Sequence, residues 1–196
     1  MKKEMLIVRH AETQYNVGHT EFLDSNLTHK GWQQASGLAD YLKASKDAEG
    51  FVGMVSPYKR TLQTAERIHA LTGIPFTVFP LAAEYAAEWS RVPYDIRVSK
   101  HSDEFPMFDW SLYPEEHRFT KESFNKFLDR MRKVLAHDLP EKTLIVSHGA
   151  VVYTLLDLLT GGTVLNDGYG QVTNASISLI RGSEPVYLFK QNWKGD

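Results

Sequence analysis

Short apolar runs alternate with long amphipathic stretches along this chain, and that alternation restricts its fold more than any other feature. Strands buried on both faces read as brief runs of branched residues, whereas helices place apolar residues every three to four positions. Met5-Leu6-Ile7-Val8 is the first such run. Thr28 then stands where an N-cap belongs, and Trp32, Ala35, Leu38, Ala39 and Leu42 recur at helical spacing to about residue 44. A second strand is predicted over 51–55. It ends at Ser56-Pro57, where an N-cap serine and a first-turn proline predict a helix that Gly73 stops. Residues 75–79, set off by Pro75 and Pro80, give a third strand. The pattern lapses over 81–118 and returns at 121–138, where Phe124, Phe127, Leu128, Met131, Val134 and Leu135 mark one helical face. Leu144-Ile145-Val146 is the fourth strand, residues 150–159 are an apolar helix, and the tail reads as strands 172–180 and 185–190. The whole is the pattern of an α/β sheet with crossover helices.

Composition narrows the chemistry. The chain has 196 residues, enough for one well-formed core, and is read as a single domain over 1–196 with 85–118 inserted as a lid over the substrate. A net charge of −2, with acids and bases intermixed, predicts neither a nucleic-acid footprint nor a membrane-binding patch. No apolar run reaches the roughly 20 residues that span a bilayer, and the N-terminus lacks the pattern of a signal peptide, so a soluble, cytoplasmic protein is expected. Cysteine is absent, which excludes disulfides, thiolate zinc sites and phosphatases that work through a cysteine. There is no GxxxxGK[ST] loop and no HExxH spacing among the eight histidines. Nothing in the sequence reports an oligomeric state.

Ligands of open α/β sheets bind beyond the carboxyl ends of the strands. Strand one delivers Arg9 and His10 there, and strand two delivers Ser56 with Arg60 a turn later. Strand three leads to Glu84, and strand four delivers Ser147, His148 and Gly149. Taken singly, each has an ordinary explanation: Arg9 as an ion-pair partner, His10 and His148 as turn residues, Arg60 as part of a solvated helix face. Those explanations leave the shared placement unaccounted for. Two arginines, two histidines and a carboxylate at one sheet edge suit phosphoryl transfer. A planar guanidinium holds two phosphate oxygens at once, and fixed cations stabilise charge spread over the transferring group. Helix N-termini near residues 57 and 149 add backbone N–H groups. A neutral imidazole can attack phosphorus, and a carboxyl kept protonated by its surroundings can protonate the leaving oxygen. Glu88, one helical turn past Glu84, competes for that last role.

At these residues the sequence resembles the histidine phosphatase superfamily, which includes phosphoglycerate mutases and many small phosphatases. Leu6-Ile7-Val8-Arg9-His10-Ala11-Glu12-Thr13 with Asn16 is similar to its first motif, and Leu27-Thr28-His29-Lys30-Gly31 to its Leu-Thr-x-x-Gly helix start. Ser56-Pro57-Tyr58-Lys59-Arg60-Thr61 resembles the second catalytic motif, Val146-Ser147-His148-Gly149 a later one, and Asn174-Ala175-Ser176 the segment before the last strands. The resemblance implies a phosphoglycerate mutase-like, three-layer α/β/α sandwich whose mostly parallel sheet carries an antiparallel edge strand. It implies His10 as the nucleophile that becomes phosphohistidine and Glu84 as proton donor. Arg9, Arg60, His148 and Asn16 would bind phosphate, Thr13 would assist at the substrate, and no metal or cofactor would be needed. The partner would be a small phosphorylated substrate. Three departures stand out: Ala11 replaces a glycine, Ala86-Ala87-Glu88-Trp89-Ser90 replaces Gly-x-Trp-Glu-Gly, and the segment before the fourth strand is short.

The expected activity is therefore a metal-independent phosphomonoesterase. A phosphoglycerate-type mutase and a non-catalytic phospholigand-binding protein are the alternatives. Substrate choice falls to 85–118. There Trp89, Tyr94, Phe105, Phe108, Trp110 and Tyr113 would either line an organic pocket or pack the lid onto the sheet. Arg91, Arg97, Lys100 or His101 would read a second acidic group.

Overall fold

The computed structural model describes residues 3–21, 23–89, 101–114, 120–162 and 172–191. Among the described residues, six strands and four α-helices follow one another as β1 (Glu4–Arg9), α1 (His29–Ser45), β2 (Val52–Val55), α2 (Lys59–Thr72), β3 (Phe76–Val78), α3 (Phe124–Ala136), β4 (Lys142–Ser147), α4 (Gly149–Thr160), β5 (Ile177–Arg181) and β6 (Glu184–Lys190). One sheet holds all six strands in the order β3-β2-β4-β1-β5-β6. β1, β2, β3 and β4 pair in parallel, and β5 runs antiparallel to both β1 and β6. The antiparallel member is thus one place in from the edge, which β6 occupies.

Side chains alternate across the sheet, and each face has its own helices. Leu6, Val8, Val55, Leu144 and Val146 join Leu38 and Leu42 of α1 and Leu62 and Ile68 of α2. Met5, Ile7 and Ile145 join Phe127 and Met131 of α3 and Val151 and Leu155 of α4. The three layers expected of the fold are present, and every central strand is covered on both sides.

Thr28 caps α1 by accepting from Gly31 N at 2.9 Å, and Gly73 ends α2 in the left-handed region. Other expectations are corrected. Trp32 is partly exposed, and Gly31 takes the buried place beside it. An added Cβ on Gly31 would lie 2.0 Å from the carbonyl oxygen of Glu12, so glycine lets α1 close on the loop that follows His10. Helix α2 starts at Lys59 rather than at Pro57, with Tyr58 as its N-cap. Ser56 lies two residues ahead of that cap with its hydroxyl bonded to His148, and Asp24 accepts from Lys59 N at 2.6 Å. Helix α3 starts at Phe124, capped by Ser123, and Phe124 itself is exposed. The tail strand starts at Ile177 rather than at 172, because residues 172–176 fold under the end of β1.

Part of the expected lid packs as core. Phe105, Phe108 and Tyr113 belong to the α1 and α2 face, with Trp110 against them, and Phe105 and Phe108 stack at 6.0 Å. Asp109 exchanges backbone hydrogen bonds with β3, donating to Phe76 O at 2.9 Å and accepting from Val78 N at 2.8 Å. These aromatics hold residues 101–114 to the sheet edge.

Candidate active site

Three neighbouring parallel strands, β1, β4 and β2, finish at the same edge. His10 N donates to Ser147 O at 2.8 Å and Ser56 N to Val146 O at 3.0 Å, so His10, His148 and Ser56 emerge side by side. The His10 and His148 rings lie 5.4 Å apart, edge to face. Arg60, on the first turn of α2, places Nε 3.3 Å from His10 Nε2 and Nη2 3.7 Å from Glu84 Oε2. Glu84 Oε2 lies 3.5 Å from His148 Nδ1. Positions 10, 60, 84 and 148, far apart in sequence, converge on one spot.

Each imidazole is oriented by its second nitrogen. His10 Nδ1 lies 2.8 Å from Ala11 O, and a carbonyl only accepts, so Nδ1 carries the proton and Nε2 keeps its lone pair. Arg60 Nε donates towards that lone pair. Burial first, then the charges of Arg60 and Arg9, hold His10 well below the usual histidine range. His148 Nε2 lies 2.7 Å from Ser56 Oγ, leaving Nδ1 to face Glu84 without a hydrogen bond among the described residues. Burial and Arg60 likewise push His148 well down. Burial raises the Glu84 carboxyl above its usual range, against the opposing pull of Arg60. A neutral imidazole thus faces a carboxyl poised to hold a proton, with guanidinium groups alongside.

The surroundings fix these groups tightly. Arg60 Nη1 donates to Leu23 O at 2.7 Å, and its guanidinium lies 4.5 Å over the Tyr58 ring, which also meets His148 edge-on at 5.0 Å. Arg9 Nη1 donates to Val172 O at 2.5 Å. Ala175, with φ at 56°, turns the chain so that its N–H and Asn174 Nδ2 both donate to His10 O, at 3.1 and 3.2 Å. Ala11 N donates to Thr64 Oγ1 at 3.1 Å, and the Ala11 side chain is buried in the core.

Other expected site residues fare differently. Asn16 is exposed, and its Oδ1 accepts from Thr13 N and from Asn174 Nδ2 at 3.1 and 3.2 Å. Thr13 is fully buried with its hydroxyl accepting from Asn16 N, so here it closes the loop rather than facing a substrate. Glu88 is exposed, its backbone paired with Glu122, while Glu84 is the carboxylate at the cluster. Trp89 is 83% exposed, and Arg91, Tyr94, Arg97 and Lys100 lie outside the described residues. His101 is buried between Asp24 and Glu104 at 3.0 Å each, already occupied by two carboxylates. Sequence reasoning missed Tyr58, Asn174 and Arg130. Only Tyr58 and Asn174 fell inside motifs that would have flagged them.

His10, Glu84 and His148 offer ligand atoms within 4.8 Å of one another, a spacing a metal ion could use. The guanidinium that donates to His10 Nε2 is a fixed cation at the very atom such an ion would need. The charges suit a tetrahedral anion better.

The family model described as histidine phosphatase superfamily (branch 1) matches residues 5–190. The chain belongs to this superfamily. It is a phosphoric monoester hydrolase of that group. It is 31% identical over 201 residues to "Putative phosphoserine phosphatase 2" of Hydrogenobacter thermophilus, covering 96% of each chain. It is 27% identical over 157 residues to human 6-phosphofructo-2-kinase/fructose-2,6-bisphosphatase 1, of which it spans 32%. Among solved structures, phosphoserine phosphatase in complex with 3-phosphoglyceric acid from Entamoeba histolytica superimposes with a TM-score of 0.62 at 20% identity, over 96% of this chain and 97% of that one. No helix among the described residues is long and apolar enough to cross a membrane.

Proposed function

We propose that this histidine phosphatase hydrolyses a small phosphomonoester through a phosphohistidine on His10, without a metal ion. The observation that carries the reading is the His10 ring, its Nδ1 tied to Ala11 O and its Nε2 left as the acceptor nitrogen, met only by a long hydrogen bond from Arg60 Nε at 3.3 Å that a phosphate oxygen would take over. In the first half-reaction Nε2 attacks phosphorus and the ester P–O bond breaks. The Glu84 carboxyl gives its proton to the leaving oxygen, which departs as the alcohol. In the second, the Glu84 carboxylate takes a proton from water, whose oxygen attacks phosphorus. The P–N bond then breaks, releasing phosphate and restoring neutral His10. Arg9, Arg60 and His148 Nδ1 hold the peripheral oxygens, with the N-terminus of α4 behind them. The guanidinium groups supply the charge neutralisation that a metal supplies elsewhere.

The substrate class is a phosphorylated metabolite. The relatives are named for phosphoserine and for fructose 2,6-bisphosphate, and the E. histolytica structure holds 3-phosphoglyceric acid. All three are small, polar and bear a second acidic group. The test is a panel of phosphoserine, phosphoglycerates, sugar phosphates and an aryl phosphate, with and without EDTA, read by released inorganic phosphate. Release that EDTA does not diminish is expected. Isomerisation of a phosphoglycerate without phosphate release would make the protein a mutase, and strong inhibition by EDTA would remove the metal-free mechanism.

A further inference from the structure

Glu84 sits on an irregular stretch after β3, where nothing in regular secondary structure would hold a carboxyl to better than an ångström. One guanidinium takes over that task. Arg130, on α3, donates from Nη1 to Leu81 O at 2.7 Å and Ala83 O at 2.8 Å, and from Nη2 to Glu84 O at 3.3 Å. The carbonyl between them, Ala82 O, accepts from Ser147 Oγ of β4 at 2.6 Å. Four consecutive carbonyls, 81 to 84, are therefore fixed by side chains from two elements of the scaffold.

The clamp is itself braced. Glu122 accepts from Arg130 through both carboxylate oxygens, Nε reaching Oε2 at 3.2 Å and Nη2 reaching Oε1. The same residue's backbone grips the far side of Glu84: Glu122 N donates to Ala86 O at 2.7 Å and Glu122 O accepts from Glu88 N at 3.3 Å. Between these grips the Tyr85 ring stacks on Phe127 of α3 at 4.4 Å, and the Arg130 guanidinium lies 5.2 Å from that same ring. A planar, five-donor fork reaches three carbonyls and a carboxylate at once, which an ammonium cannot do.

We propose that Arg130 is a positioning residue for the proton donor, fixing the 81–84 backbone so that Glu84 meets the leaving oxygen of the substrate. The proposal rests on the reading of Glu84 as that donor. It separates Arg130 from residues that touch phosphate: its loss impairs the two proton transfers of Glu84, and in the half-reaction that expels the alcohol it does so only where a poor leaving group needs the proton, a misplacement of about 1 Å costing on the order of 100-fold there.

The test measures kcat/KM, which reports the half-reaction that expels the alcohol and not the later hydrolysis of phosphohistidine, on p-nitrophenyl phosphate, whose leaving group needs little protonation, and on a simple alkyl phosphate, whose leaving group needs it. The proteins are wild type, Arg130→Met, Arg130→Lys, Glu84→Gln and the Glu84→Gln/Arg130→Met double variant. Expected for Arg130→Met is a loss of roughly 100-fold on the alkyl ester against less than about 5-fold on the aryl ester. In the Glu84→Gln background the same change should cost little more on either. Arg130→Lys, which keeps the charge and loses the fork, should show the same selectivity in weaker form; it carries the test should Arg130→Met fail to fold. Equal losses on both esters, or losses that multiply fully in the double variant, would overturn the positioning role and leave Arg130 merely structural. If Glu84→Gln itself loses both esters equally, the donor assignment fails and the positioning role with it. A leaving-group effect in Glu84→Gln that is absent in both Arg130 variants sinks this inference alone.

Discussion

Acidification should destabilise this protein through the two buried imidazoles of the candidate site. His10 is 2% exposed and His148 0%, and burial, followed by Arg60, holds both well below the usual histidine range. Folded, they stay neutral at a pH where an unfolded chain protonates histidines near 6.5. The folded state then binds fewer protons than the unfolded one, so stability is present above pH 6.5 and lost as pH falls through it. A group that stays neutral when folded costs RT ln(1 + 10^(6.5 − pH)), on the order of 1 kcal/mol at pH 5.5, or about 3 kcal/mol at most for the pair. Two groups act with the opposite sign. Burial raises Glu84. His101 is also raised, because its hydrogen bonds to Asp24 and Glu104 outweigh the lowering effect of its own burial. The assay therefore compares wild type with the His10→Asn/His148→Asn variant, by urea unfolding in phosphate-free buffers at pH 7.5, 6.5 and 5.5. Between the extremes wild type should lose up to about 3 kcal/mol more than the variant. Parallel curves, within about 0.5 kcal/mol, would refute the reasoning: the imidazoles would then accept protons in the folded chain, and the electrostatic account of a neutral nucleophile would fail.

Three further outcomes are expected. Glu84→Gln should slow an alkyl phosphate on the order of 100-fold or more while an aryl phosphate with a good leaving group loses far less, read as a ratio of kcat/KM values, which exclude the shared hydrolysis of phosphohistidine. Gly31→Ala drives a Cβ to within 2.0 Å of Glu12 O and should cost about 1–3 kcal/mol, visible as a lowered midpoint in thermal melts. Ser56→Ala leaves His148 Nε2 buried without its 2.7 Å partner, and should lower both stability, by about 1–3 kcal/mol, and kcat; an unchanged kcat would show that the Ser56 hydroxyl does not orient the ring.

The site was legible wherever a regular element ends in a short motif. Arg9-His10, Arg60 and Ser147-His148 sit at strand ends or on the first turn after one, and period alone located those ends within a residue or two. The segments that hold them are irregular, and irregular chain carries no period in its sequence. Residues 172–176 read as strand because they are largely apolar or small, yet they turn under His10 through the left-handed Ala175. Ser56 read as a helix cap because its type and neighbour fit one, yet it lies two residues ahead of the cap with its hydroxyl bonded to His148. The aromatics of 101–114 looked equally suited to a pocket or to a core, since hydrophobicity does not say which way a ring faces; packing against β3 and α2 resolved it. Arg130 carried no signal at all. An arginine beside the apolar stripe of a helix ordinarily faces solvent, and only the tertiary approach of 81–84 reveals what it holds.

Trapping the covalent intermediate tests the central claim most directly. Rapid quenching of the enzyme during turnover of a radiolabelled phosphomonoester, followed by peptide mapping, should find an acid-labile, base-stable phosphoryl group on the peptide bearing His10, with none in His10→Ala. Phosphate release continuing at full rate in His10→Ala, or label recovered on another residue, would contradict the account.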